Sequence, residues 1–415
     1  MPSSSLSEQS EVPAKVHPPA RRRRRVLRGL AWTALSLVVL TGLSGCGLWL
    51  LARESMGGTL TGEHLERAER SPQWKGGQFG NVLPRVDGPF GRIMRESIFG
   101  GSKYQIPRAP IPVTRRTAAD YATLPASGLR VTWLGHSTLL LEIDGRRVLI
   151  DPVWGERASP LPFMGPKRFF APPLALNELP DVDAVVISHD HYDHLDLPTV
   201  KSLMRRGVRW VVPLGVGVHL RTWGVPERDI TELDWWEAAQ VEDLTVTATP
   251  ARHFSGRALT GQSRTLWAGW AIAGPAHRVF YSGDTALHDA FAEIGRRLGP
   301  FDLTMIETGA YSELWTDVHL GPEQAVIAHR LVRGGVMLPV HWGLFDLAQH
   351  GWTEPVERVL VAARTSNVRV AAPRPGDMVE PAALAPLERW WPTTPWETVE
   401  ASPVWSTSVS HLLRR

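Results

Sequence analysis

Ala184-Val185-Val186-Ile187-Ser188-His189-Asp190-His191-Tyr192-Asp193-His194 decides how the rest of the chain is read. Four apolar residues form a short buried strand. Three imidazoles and two carboxylates then leave the strand end within six positions. So dense a set of nitrogen and oxygen donors suits a metal such as zinc. It is too dense for one four-coordinate ion. His189 and His191 can close on one metal while Asp193 and His194 close on a second.

Three further donors stand at the ends of apparent strands. His253 follows residues 244–248, Asp284 follows Val279-Phe280-Tyr281, and His341 follows residues 336–340. Each alone is weak, because a lone His is more often a hydrogen-bonded structural residue and Gly-Asp is more often a turn. Together they supply what the first cluster lacks.

The run His-x-His-x-Asp-His, followed in order by His, Asp and His, resembles the metallo-β-lactamase superfamily. The flanking stretches narrow the resemblance. They include Ser71-Pro72-Gln73-Trp74, Trp133-Leu134-Gly135-His136-Ser137, Asp151-Pro152-Val153-Trp154, Gly165-Pro166-Lys167-Arg168-Phe169 and His341-Trp342-Gly343. This set is similar to the branch of N-acylphosphatidylethanolamine-hydrolysing phospholipase D and its bacterial relatives. It runs from about residue 71 to about residue 380.

The resemblance implies an αββα sandwich and a dinuclear zinc hydrolase, with iron or manganese as alternative occupants. It assigns His189, His191 and His253 to one ion, and Asp193, His194 and His341 to the other. Asp284 bridges them. His319 matches a position linked to the substrate phosphate or leaving group, so Asp284 and His319 are the candidate catalytic residues. Asp151 and His136 are placed behind the ligands, with a turn cap and a structural role as their respective competitors. Tyr192, Tyr311 and Trp315 are candidate substrate contacts. Phe254 stands where the branch usually has Trp, and residues 314–318 also depart from its pattern. A lactonase or other ester hydrolase on the same fold is therefore the alternative reading, and a non-catalytic envelope scaffold is a third.

The strand pattern agrees with two sheets covered by helices. Strands are expected at 130–134, 138–143, 147–150, 184–187 and 210–213, then at 244–248, 265–272, 278–281, 303–306 and 336–340. Asp144-Gly145 is a hairpin turn. Helices are expected at 198–206, 289–297, 322–332 and 354–363. This places the catalytic domain at 129–380. Residues 53–128 form an extension wrapping it, and 381–415 form a Trp- and Pro-rich tail. The tail is open to three roles: a packing arm, a homodimer contact or a membrane-touching element.

With 415 residues and 43% apolar content, the chain can bury a large core. Its formal charge is +3, and Arg21–Arg25 alone contribute five positives. Nothing here suggests a nucleic-acid surface. The single cysteine, Cys46, excludes an internal disulfide and a thiolate zinc site.

Residues 1–28 read as a disordered basic segment. Residues 29–52 hold no charge over 24 positions, and a helix needs about 20 to cross a bilayer. The arginines would stay cytoplasmic and the catalytic part would lie outside. Leu43-Ser44-Gly45-Cys46 gives the rival reading, a lipoprotein cleavage box with Cys46 lipidated. The expected partners are a membrane and a phospholipid or other small ester.

Overall fold

The computed structural model describes residues 20–258 and 261–412. Contacts divide the chain into two compact units, one ending at Ala52 and the other beginning at Arg53. The expectation for residues 1–19 lies outside the described residues.

Helix α1 runs Ala20–Met56. Residues 20–28, expected to be disordered, are its first turns. Arginine is a good helix former, and no proline or glycine interrupts the run before Gly29. Its portion Leu30–Met56 is 27 residues long, with a mean hydropathy of 1.9 over its most apolar 18 residues, apolar and long enough to cross a membrane.

From Arg53 onward, the extension contributes α2, Gly62–Glu69, and α3, Phe90–Phe99, neither signalled by the weak periodicity there. The first sheet then opens with β1 Leu129–Trp133, β2 Leu139–Ile143 and β3 Arg146–Ile150, antiparallel to one another. Asp144 and Gly145 join β2 to β3 with φ of 48° and 87°. Both are left-handed, as a two-residue hairpin turn requires. Three parallel strands follow: β4 Ala184–Val186, β5 Arg209–Pro213 and β6 Ile230–Leu233. Helices α4, Leu197–Leu203, and α5, Gly217–Thr222, lie between them in sequence.

The second sheet repeats the scheme. Strands β7 Ala238–Val241, β8 Leu244–Thr249, β9 Gly269–Ala273 and β10 Arg278–Tyr281 pair antiparallel. Then β11 Phe301–Glu307, β12 Gly334–Val340 and β13 Arg369–Val370 add in parallel. Helices α6 Ala290–Arg297, α7 Pro322–Leu331 and α8 Glu354–Thr365 connect them. Strand β14, Met378–Val379, returns to pair with β1, which makes seven strands in each sheet.

Period-two alternation sorts the side chains into layers. Leu139, Leu141 and Ile143 of β2 join Val246, Trp270, Leu303 and Met305 in one core cluster between the sheets. Leu140, Leu149, Val185 and Trp210 face the other way, with Leu197 and Val200 of α4. Phe280, Ile306 and Met337 similarly face Phe291 of α6 and Val326 of α7. The expected helix–sheet–sheet–helix sandwich is what the chain forms.

One expected strand is shorter than its apolar run. Residues 265–268 were assigned to β9, but their backbone reaches across to the first sheet's loops. Leu266 N–H donates to Leu214 O and Ala268 N–H to Ser188 O. Those bonds bring the two sheets' loop ends together. Two tryptophans of the tail pack on the domain. Trp390 stacks 5.5 Å from Trp342 and lies 6.1 Å from Trp352, and Trp391 meets Trp390 edge-on at 5.3 Å.

Two histidines in the outer helical layer are buried and neutral. Burial, then Arg252, pushes His288 down to about 3, and burial pushes His329 down to about 4. Unfolded, each takes a proton near 6.5. The unfolded chain therefore binds more protons below that pH, and folding stability is lost as pH falls. Melting temperature should decline steadily from pH 6.5 to pH 4.5, each group costing about 1.4 kcal/mol per unit. Replacing His329 with Gln should flatten part of that slope; an unchanged slope would exclude His329 as a source.

Candidate metal centre

The strand ends that carry the chemistry gather at one edge of the sandwich. His189–His194 follow β4, His253 follows β8, Asp284 follows β10 and His341 follows β12. Parallel strands point their carboxyl ends the same way, so residues far apart in sequence converge.

The structure brings together the seven donors singled out from the sequence. His189, His191 and His253 form one group, and Asp193, His194 and His341 sit together with His136 in another. His189 Nε2 is 2.8 Å from His191 Nδ1, which is 3.3 Å from His253 Nε2. Asp284 Oδ2 stands between the groups. It is 3.8 Å from both His189 Nε2 and His253 Nε2, 3.2 Å from His194 Nε2 and 2.9 Å from His341 Nε2. Asp193 Oδ2 lies 3.3 Å from both His194 Nε2 and His341 Nε2.

These spacings fit metal ions. A tetrahedral ion with bonds of about 2.05 Å spreads its ligand atoms about 3.3 Å apart. His194 Nε2, His341 Nε2 and Asp284 Oδ1 are buried and lack a hydrogen-bond partner among the described residues. Buried polar atoms are rarely left so, and a cation between them would satisfy all three.

Charge tells the same story. Burial raises the cost of ionising Asp193 and Asp284, yet the neighbouring histidines outweigh it and hold both well below the usual carboxylate range. Burial opposes charging His341 too, but Asp284 and Asp193 push it up to about 10. His194 is raised in the same way. His189 and His253 stay neutral because burial dominates. The side chains thus pair two anions with histidines whose protons a metal ion would displace on binding.

A supporting layer fixes the rings. Asp151, fully buried at the end of β3, accepts from His194 Nδ1 at 2.7 Å, from Ser188 N and Oγ at 2.7 and 2.5 Å, and from Tyr281 OH at 2.5 Å. The bond to His194 is the contact that the first of its two sequence readings calls for. His136, with φ of 53°, places Nε2 2.9 Å from Asp193 Oδ2. His253 Nδ1 donates to Val318 O at 2.8 Å, which turns Nε2 toward the centre. His319 Nδ1 lies 2.9 Å from Glu307 Oε2 and 3.9 Å from Asp284 Oδ2.

The aromatic candidates are placed differently. Tyr192 OH donates to Arg257 O at 2.6 Å, and Trp315 Nε1 donates to Ala310 O at 2.8 Å. Tyr311 is buried with its hydroxyl on Glu354 at 2.8 Å. Its ring also borders a cleft of about 490 Å³ with Tyr104, His350 and Trp396. All three spend their polar atoms on the protein itself.

Sequence reasoning missed two residues. Glu307 closes β11 and accepts from Thr285 N and Leu320 N besides meeting His319. A lone carboxylate ending an apolar strand was its signal. Asn81 clasps His253 by its backbone, donating to its carbonyl at 2.7 Å and accepting from its N–H at 3.0 Å. It lies in a polar, glycine-rich stretch that gives no such signal.

Two sheets meeting at an edge lined by paired His and Asp groups define a metal-dependent hydrolase. Residues 146–342 match the β-lactamase superfamily domain. An uncharacterised protein of Mycobacterium tuberculosis is 47% identical over 372 residues, 86% of this chain and 98% of its own. The N-acyl-phosphatidylethanolamine-hydrolyzing phospholipase D 1 of Caenorhabditis elegans is 37% identical over 300 residues, 69% of this chain and 82% of its own. A metallo hydrolase from the archaeon Ignicoccus hospitalis aligns with a TM-score of 0.47 and 22% identity, over 60% of this chain and 97% of that structure. The chain belongs to the β-lactamase superfamily, in the branch that includes the phospholipases D hydrolysing N-acylphosphatidylethanolamine.

Asp151→Ala removes the acceptor that His194 Nδ1, Ser188 N, Ser188 Oγ and Tyr281 OH share. Loss of such an outer partner typically costs about 10–100-fold in metal affinity or activity. Zinc titration against a competing chelator should show that loss, and unchanged affinity would reduce Asp151 to a turn cap.

Proposed function

We propose that this chain is a membrane-attached dinuclear zinc phosphodiesterase. It cleaves N-acylphosphatidylethanolamine, or a related glycerophospholipid, on the head-group side of phosphorus. Phosphatidic acid and an N-acylethanolamine are the products. The observation that carries the reading is Asp284 Oδ2 standing within 3.8 Å of ring nitrogens from both histidine groups. The relative of known name in Caenorhabditis elegans supplies the substrate class.

His189, His191 and His253 would hold one ion, Asp193, His194 and His341 the other, and Asp284 both. Bound zinc supplies Lewis acidity, making water nucleophilic near neutral pH and offsetting charge on phosphate oxygens. The remaining work falls to the chain. His319, 12% exposed and steadied by Glu307, presents Nε2 to the departing alkoxide and gives it a proton. The cleft bordered by Tyr311, with Trp315 nearby in sequence, would take an acyl chain. Helix α1 serves as an uncleaved anchor that leaves the catalytic unit outside the cytoplasm, beside its lipid.

Asp284→Asn keeps the side-chain size and removes the shared charge. Activity should fall by orders of magnitude and bound metal should drop below two ions per chain, measured by elemental analysis. Two tightly held ions in that variant would refute the bridging role.

His319→Ala should depress turnover on the natural lipid while both metals stay bound. The loss should shrink on a nitrophenyl phosphodiester, whose leaving group needs little protonation. Equal losses on both substrates, with a lower melting temperature, would make His319 structural. The same enzyme assayed on N-acyl lipids, simple phosphodiesters and lactones separates this reading from an ester hydrolase.

Membrane attachment should survive Cys46→Ala when α1 is the anchor. Release of the variant into the soluble fraction would establish lipidation at Cys46 instead.

A further inference from the structure

The metal-ligand loop is tied from behind to the last turn of helix α1 and the two glycines that follow it. Among the described residues, five bonds join residues 54–58 to the rest of the domain, one of them from Lys201 Nζ to the Glu54 carboxylate. Trp223 Nε1 donates to Glu54 O at 2.7 Å. Arg257 donates from Nε and Nη2 to Ser55 O at 2.9 and 2.8 Å. Gly58 N–H donates to His219 Nδ1 at 3.2 Å. The approach is close enough to demand glycine. A Cβ on Gly57, whose φ is +78°, would stand 2.2 Å from His219 Nδ1, and one on Gly58 would stand 2.2 Å from Thr222 Oγ1.

The bond from Gly58 fixes the tautomer of His219. Its Nδ1 accepts, so its proton is on Nε2, which lies 3.1 Å from Asp190 Oδ2 and donates to it. Asp190 stands between His189 and His191. It also accepts from Gly256 N at 2.7 Å and from Thr265 Oγ1 at 2.9 Å. One carboxylate thereby joins the loop after β4 to the loop after His253. Arg257, buried, completes the tie. Its Nη1 donates to Asp190 O and Leu195 O, and its guanidinium lies 4.0 Å over the Tyr192 ring.

We infer that His219 is a positioning residue for the metal centre, and that it works by clamping the strap of residues 54–58 against Asp190. Neither His219 nor Asp190 faces the donor cluster, so their effect reaches catalysis through the placement of His189, His191 and His253. The strap is therefore part of the catalytic apparatus as well as the end of α1. This inference rests on the ligand assignment proposed above and is independent of which ester is the substrate.

The test uses the full-length zinc-loaded enzyme with His219→Ala, His219→Gln and Gly57→Ala. Circular dichroism fixes a temperature at which each variant is folded. At that temperature, zinc affinity is measured by competition with a chelating dye, and kcat and KM on a nitrophenyl phosphodiester. His219→Ala should lose about 10–100-fold in zinc affinity or kcat, the usual effect of removing an outer partner, with KM little changed. His219→Gln keeps a donor for Asp190 and should recover most of the loss. Gly57→Ala should reproduce it from the strap side, and it carries the test with His219→Gln if His219→Ala does not fold. Wild-type zinc affinity and kcat in folded His219→Ala and Gly57→Ala would overturn the inference, as would a His219→Gln that folds but recovers nothing. A wild-type enzyme that prefers lactones would overturn the phospholipase reading and leave the zinc measurements standing.

Discussion

Burying seven imidazole and carboxylate donors within a few ångströms of one another is unfavourable unless something positive sits among them. That constraint organises the molecule. Lone pairs of His189, His191 and His253 face each other, and two carboxylates meet two raised histidines. Left to relax, such groups would rotate toward solvent or toward other partners. They are prevented by bonds made on their far sides, by Asp151 to His194, Val318 to His253, and Ser188 to His189. The packed sandwich behind them keeps those partners in place.

The sandwich itself was readable because apolar runs of strand length alternate with turn residues and helical stretches. Each ligand was readable because its residue type is costly at a strand end without a reason. What escaped were pieces stabilised by tertiary contact and not by local pattern. Strands β6 and β7, Ile230–Leu233 and Ala238–Val241, are short and partly polar, and exist through pairing with β5 and β8. Residues 265–268 are apolar enough for a strand, yet their N–H groups bond across to the other sheet. Glu307 and Asn81 were silent for a related reason. Their importance lies in what they touch, His319 and His253, and a contact between distant residues leaves no local trace in one sequence.

The tail shows composition and role coming apart. Its tryptophans are as consistent with a bilayer surface as with a core. In the structure, Trp390 and Trp391 build an aromatic stack on Trp342, the residue after His341. Further on, Thr407 bonds to Asp317, which pairs with Arg252, neighbour of His253. The tail thus braces both ends of the second sheet's contribution, and bulky aromatics suit the task because each covers much area with little loss of side-chain freedom.

The donors come from both sheets, and neither sheet alone holds a full set for two ions. The first supplies His189, His191, Asp193 and His194. The second supplies His253, Asp284 and His341. Tight capture must then wait until the two halves of the chain have closed on each other, late in folding. Intrinsic affinity of such nitrogen and oxygen donors rises from manganese through iron toward zinc, and site geometry and metal supply act on top of that order. On the proposed ligand assignment, the ion that a full set takes up would depend on what is available where the chain closes.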